Sequence, residues 1–206
     1  MDAYKTILYQ SSHEFTQKRS KFIANIKPVK SEDEAVSFIN EIKAKYFDAK
    51  HNVYAYLIKE HNISRYSDDG EPQGTAGVPV LEVIKKHDLK DIAVVVTRYF
   101  GGILLGTGGL VRAYSAACKN VIETANIVTM HPCYKANIKC DYSLYGKVSA
   151  LILDNGGNIF SSQFLDCTDI LFYFKIDKFT EFQKKLSEIS AGSLSAHIIS
   201  EEYFAL

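Results

Sequence analysis

The 206-residue chain has no tryptophan, two methionines, four prolines and four cysteines. Cys118, Cys133, Cys140 and Cys167 lie far apart and form no C-x-x-C pair. That spacing argues against a zinc ribbon and against a small disulfide-stapled fold; reduced, buried thiols are expected instead. Nowhere do about 18 apolar residues run consecutively, so no membrane-spanning helix is expected. The opening stretch, "MDAYKTILYQSSHEF", lacks the cationic segment and apolar core of a signal peptide. Charge of either sign is also missing in excess, with 24 Lys and Arg against 24 Asp and Glu. Divided near residue 133, the chain holds 17 basic and 15 acidic residues, then 7 and 9. Neither part is a basic module, so bulk charge announces no nucleic-acid partner. These absences together read as a soluble, cytoplasmic protein with no membrane association.

Hydrophobic content of 47% and charged content of 23% are those of a chain with a packed core. The early segment "TILYQSSHEFTQKRSKFIANI" alternates apolar and polar residues, as a hairpin or two strands do. "SEDEAVSFINEIKAKYF" reads as a helix opened by an S-x-x-E capping box at Ser31 and Glu34. Its apolar stripe is Ala35, Phe38, Ile39 and Ile42. "NVYAYLI" is a strand, "RYSDDGEPQGTAGVP" a loop, and a short helix is expected from near Thr75 through "VLEVIKKH". "IAVVVTRYF" reads as a strand buried on both faces. A helix is expected from Leu110, with Tyr114, Ala117, Cys118, Val121 and Ala125 on its inward side.

Past "NIVTMHPC" the order β-α-β-β-α-β over about 70 residues is the ferredoxin-like arrangement. The expected division is near His131–Pro132, giving domains 1–131 and 132–206. The fold class is α+β in two domains.

"RYFGGILLGTGGLVRAY" carries five of the twelve glycines and two of the four arginines. Strand, glycines, helix is a context for an anion site, because amides at a helix N-terminus point outward and the dipole favours negative charge. On this reading Gly101, Gly102, Gly106, Thr107, Gly108 and Gly109 supply backbone, and Arg98 and Arg112 supply charge. The alternative is a tight crossing of strand and helix that only glycine permits. The phosphate-loop lysine is missing, since Thr107 follows Gly106, and "GTGGLV" lacks the third glycine of the dinucleotide fingerprint. No cofactor motif is satisfied.

The basic run Lys18, Arg19 and Lys21 suits a phosphate backbone, or else a charged edge strand. Asp68, Asp69 and Glu71 form an acidic loop that could hold a hard cation or simply make a solvated turn. The six histidines form no ligand-spaced pair, and His51 alone stands near these loops. No nucleophile elbow is present, and no residue reads as catalytic.

"KRSKFIA", "DAKHNVYAYLI", "YSDDGEPQGTAG" and "VVVTRYFGGILLGTGGLVRAY" together resemble the IMPACT family in its bacterial YigZ-like form. The likeness is strong over roughly residues 15 to 125. It implies a first domain similar to domain 2 of ribosomal protein S5, followed by a ferredoxin-like domain. Eukaryotic relatives restrain a starvation-responsive kinase of translation initiation by binding its activator. They carry an extra N-terminal interaction domain that has no counterpart in these residues, so that role does not transfer to this chain. The two-domain order is also similar to the last two domains of elongation factor G. The resemblance therefore implies a non-enzymatic protein of translation, with RNA, the ribosome or a protein of translation control as partner. The alternative is an enzyme on a phosphorylated small molecule or nucleotide, with a metal held by the acidic loop. Oligomeric state is not legible.

Overall fold

The computed structural model describes residues 2–206. By contact density the chain divides into two compact units, Tyr4–Val128 and Thr129–Leu206, with residues 2–3 belonging to the second.

The first unit contains β1 (Tyr4–Ile7), β2 (Ser11–Gln17), β3 (Ser20–Pro28), α1 (Glu32–Lys45), β4 (His51–Ile58), β5 (Ile63–Ser67), α2 (Gly77–Lys86), β6 (Ile92–Tyr99) and α3 (Thr107–Thr124). Its sheet has the order β2-β3-β6-β4-β5, antiparallel throughout. β6 is central because its sequence is apolar on both faces: Ile92, Val94 and Val96 pack with α2 and α3, whereas Ala93 and Val95 pack under α1. α1 starts where the capping signature places it, with Ser31 Oγ accepting the Glu34 N–H at 3.2 Å. The reciprocal bond shifts by one residue, for the Glu34 carboxylate accepts the N–H of Lys30 at 2.7 Å. Phe38, Ile39 and Ile42 then meet Tyr56 and Val95 in a second cluster.

Three elements differ from the sequence expectation. β5 occupies Ile63–Ser67, so "RYS" is paired strand against β4 rather than loop. α3 begins at Thr107, not Leu110, which takes Gly108 and Gly109 into its first turn. β7 (Ile127–Cys140) runs without interruption through His131–Pro132, and the contact division falls earlier, between Val128 and Thr129.

The second unit continues β7 with α4 (Tyr142–Asp154), β8 (Asn158–Phe164), β9 (Thr168–Lys175), α5 (Ile176–Ile189) and β10 (His197–Ala205). Here the sheet order is β10-β7-β9-β8, with both outer strands antiparallel to their neighbours. This is the ferredoxin-like βαββαβ order. Val148 and Ile152 of α4, with Phe179, Phe182 and Leu186 of α5, cover Ile138, Ile170, Phe172 and Phe174 in one core. No helix among the described residues is long and apolar enough to cross a membrane.

Candidate functional site

Arg98, only 6% exposed, follows Ile92, Val94 and Val96 on the same face of β6. Its Nη1 donates to Glu71 Oε1 at 2.7 Å, and Tyr114 Oη of α3 donates to the same oxygen at 2.8 Å. The guanidinium lies between the rings of Phe22 and Phe100, 5.6 and 5.5 Å from their centroids. Its Nη2 stands 3.5 Å from Ser20 Oγ, and its Nε is buried with no acceptor among the described residues. Burial and the Glu71 carboxylate push the Tyr114 phenol far above its usual range, so it is a fixed donor. Arg98 is thus committed to the interior, and the expectation that its charge is free for an anion does not hold. A buried charge needs its partner more than the surface does.

The other acidic residues are equally engaged. Asp68 Oδ1 accepts the N–H groups of Ala76 and Gly77 at 3.1 and 2.7 Å, and Oδ2 accepts that of Gly74 at 2.8 Å. It caps α2 from eight and nine residues upstream, since α2 has no capping side chain of its own at Ala76. Asp69 accepts from Lys43 Nζ at 2.8 Å and from the Asn52 N–H at 2.6 Å, while its carbonyl oxygen meets His51 Nδ1 at 2.8 Å. The three carboxylates therefore face three different sets of donors. Among the described residues no group of His, Cys, Asp and Glu is placed to hold a metal ion.

The glycines separate into the two uses that the sequence left open. Gly101 is a packing glycine: a Cβ there would lie 2.0 Å from the carbonyl of Arg19. Its N–H donates to Ser20 Oγ at 3.2 Å, which fixes the β2–β3 turn beside Phe100. Gly109 is buried, with a Cβ position 3.1 Å from Leu105. Gly102 and Gly106 have positive φ, +81° and +70°, in open space.

Thr107 and Gly108 are exposed at the start of α3, where no side chain caps the helix and no acidic residue occupies the first turn. The Leu110 N–H is the first bonded back, to the Gly106 carbonyl at 2.9 Å. Arg112 turns toward this end, since a Cβ on Gly108 would sit 3.6 Å from its Nη1.

Gly106 and Thr107 form one edge of a cleft of about 400 Å³. Its lining also includes the buried Arg98 and Glu71, the apolar Phe100, Leu104, Leu105 and Leu110, and Lys50 and His51. Sequence reasoning missed Tyr114 as a polar anchor because it sits at a helical core position. It also missed Phe100 and Leu104, which read as continuations of apolar runs; a signal was there in two large apolar residues flanking glycines.

Lys18 and Arg19 are the two central residues of the β2–β3 turn, closed by the Gln17–Ser20 pair. Both have positive φ, 45° and 64°, and both are exposed. Lys21 lies in β3 and pairs with Glu14 at 2.8 Å.

Residues 18–122 match the family described as "Impact N-terminal domain", and residues 138–193 match "Domain of unknown function (DUF1949)". "IMPACT family member YvyE" of Bacillus subtilis is 35% identical over 193 residues, covering 93% of this chain and 89% of that protein. "IMPACT family member YigZ" of Escherichia coli is 33% identical over 187 residues, covering 89% and 92%. "Protein IMPACT-A" of Xenopus tropicalis is 41% identical over 97 residues, 44% of this chain and 30% of its own length. A solved structure described as "Crystal structure of an hypothetical protein" superposes with a TM-score of 0.63 at 30% identity, covering 98% of this chain and all of that one (100%). With a matched domain over half its length and relatives alike along nearly all of it, the chain belongs to the IMPACT family.

Proposed function

We propose that the chain is a non-enzymatic translation-associated protein that binds RNA, alone or on the ribosome, through the β2–β3 turn and the start of α3. Family membership supports a regulatory role. The RNA reading is supported by one observation above others: two cations stand where the backbone disfavours them. A two-residue hairpin turn with positive φ at both centres favours Asn-Gly, and a bulky L-residue in that region costs about 1–2 kcal/mol. Lys18 and Arg19 occupy it nonetheless, beside Gly101. Strain kept by two cations at a surface turn supports a functional role for that turn. The uncapped amides of Thr107 and Gly108, with Arg112 beside them, supply a second phosphate contact of the kind helix N-termini make.

The double replacement Lys18→Asn with Arg19→Gly separates function from folding. It is expected to raise stability by about 1–2 kcal/mol through relief of turn strain, while binding to a fluorescent RNA oligonucleotide at low salt falls. Equal or tighter RNA binding by this more stable variant removes the reading. The small-molecule enzyme alternative draws no support from the acidic loop, whose carboxylates are spent on α2, Lys43 and Arg98.

A further inference from the structure

β8 is an outer strand of the second unit's sheet and pairs with β9 alone, so its other side presents free backbone N–H and C=O groups. Such an edge invites a further strand, and folded proteins guard it with charge or proline. The other strands with a free side are guarded by charge: Lys5 stands in β1, Glu14 in β2, Arg65 in β5, and Glu201 and Glu202 in β10. β8 reads Asn-Ile-Phe-Ser-Ser-Gln-Phe, with no charged residue and no proline. Its one irregularity, a bulge between Ile159 and Ser161, leaves residues 161–164 in regular register with β9. The apolar side chains of this edge are exposed, Phe160 by 62%, Phe164 by 51% and Leu165 by 75%. They are also held in place. Phe160 meets the Tyr173 ring edge-on at 6.1 Å. Phe164 packs against Tyr142 and Tyr145 of α4, with centroids 6.2 and 5.0 Å away, and Tyr142 Oη donates to the Leu165 carbonyl.

We infer that β8 pairs with β8 of a second copy of this chain, antiparallel and about a two-fold axis, joining the two sheets into one. The occupant follows from self-complementarity. A two-fold interface sets each residue against itself or a near neighbour, so a charged strand repels its own copy. β8 has no charge to repel, and Ser161, Ser162 and Gln163 can each donate and accept hydrogen bonds across the axis. A foreign strand is selected by complementary charge, and this edge offers none. Two-fold pairing also consumes both free edges, so it stops at two copies. The contact is small, a regular run over residues 161–164 with Phe160, Phe164 and Leu165 around it. That is less than the roughly 1,600 Å² of a standard stable interface, and the dimer is therefore reversible and concentration-dependent.

Sedimentation equilibrium of the full chain tests this. From low micromolar to near-millimolar concentration, the mean mass is expected to rise from 23.1 kDa toward twice that value. Gln163 is exposed and outside the core, so thermal melts of its variants in dilute solution are expected to match the parent. Gln163→Lys is expected to weaken self-association about tenfold by setting like charges across the axis, and Gln163→Glu to do the same. An equimolar mixture of the two variants is expected to recover the parent's association as mixed dimers, which no merely structural role of Gln163 predicts. A parent chain that stays at 23.1 kDa throughout overturns the inference, as does a dimer that Gln163→Lys leaves intact. Mass that climbs past two copies overturns it too, because an open array has no closing two-fold axis. If each variant alone loses association and the mixture fails to recover it, juxtaposed charge is not the cause and the β8 pairing is overturned.

Discussion

Arg98, Glu71 and Tyr114 hold the end of β6, the acidic loop and α3 to one carboxylate oxygen. Removing one member of a buried ion pair leaves the other charge without compensation. Arg98→Ala is therefore expected to cost about 3–5 kcal/mol in chemical denaturation. Tyr114→Phe keeps the ring against Phe22 and loses only the donated hydrogen bond, about 1–3 kcal/mol. A ranking with Tyr114→Phe the more damaging would contradict the geometry. The neighbouring glycines make a second contrast. Gly101→Ala puts a methyl against backbone that no rotamer can relieve, and a loss beyond about 4 kcal/mol is expected. Gly102→Ala meets open space, so it costs only the positive φ, about 1–2 kcal/mol. Two adjacent glycines thus have different reasons to be glycine, and thermal melts of the pair distinguish them.

At the scale of elements, a pH effect is localised in β7. His131 Nε2 accepts from Lys175 Nζ at 3.3 Å, which requires the neutral ring. Partial burial first, and the Lys175 charge second, hold its pKa below the ordinary 6.5, with Asp177 opposing. The unfolded chain therefore takes up the proton first as pH falls, and native stability is lost as pH drops through and below 6.5. His131→Gln keeps an acceptor for Lys175 and removes the titration. Urea midpoints compared on either side of pH 6.5 are expected to differ less in the variant than in the parent.

The elements themselves were legible to different degrees, for physical reasons. α1 was readable because its cap, its stripe and its length agree. β6 was readable because both its faces are apolar. β5 was not, since an edge strand of polar residues carries no alternation, and β7 was obscured by Pro132 in its middle. In the site, the glycines signalled a special backbone but not which of them served packing. Arg98 looked like a ligand because sequence shows charge and not the carboxylate folded against it from Glu71, 27 positions away in the chain.

For the molecule as a whole, near-neutral charge sets what binding can look like. With 24 cations balanced by 24 acids, no long-range field concentrates RNA, and affinity must come from a few local contacts. Lys18, Arg19 and Arg112 are exposed, whereas Lys21 is shared with Glu14 and Arg98 is buried against Glu71. Each phosphate neutralised on a single strand contributes about −0.7 to the slope of log affinity against log salt. Three such contacts give a slope near −2, roughly, and Arg112→Ala should flatten it by about 0.7. The measured slope therefore counts the contacts. A value steeper than about −5 would require phosphates bound at many more cations than this surface offers, and the β2–β3 turn would then be one contributor among many rather than the site.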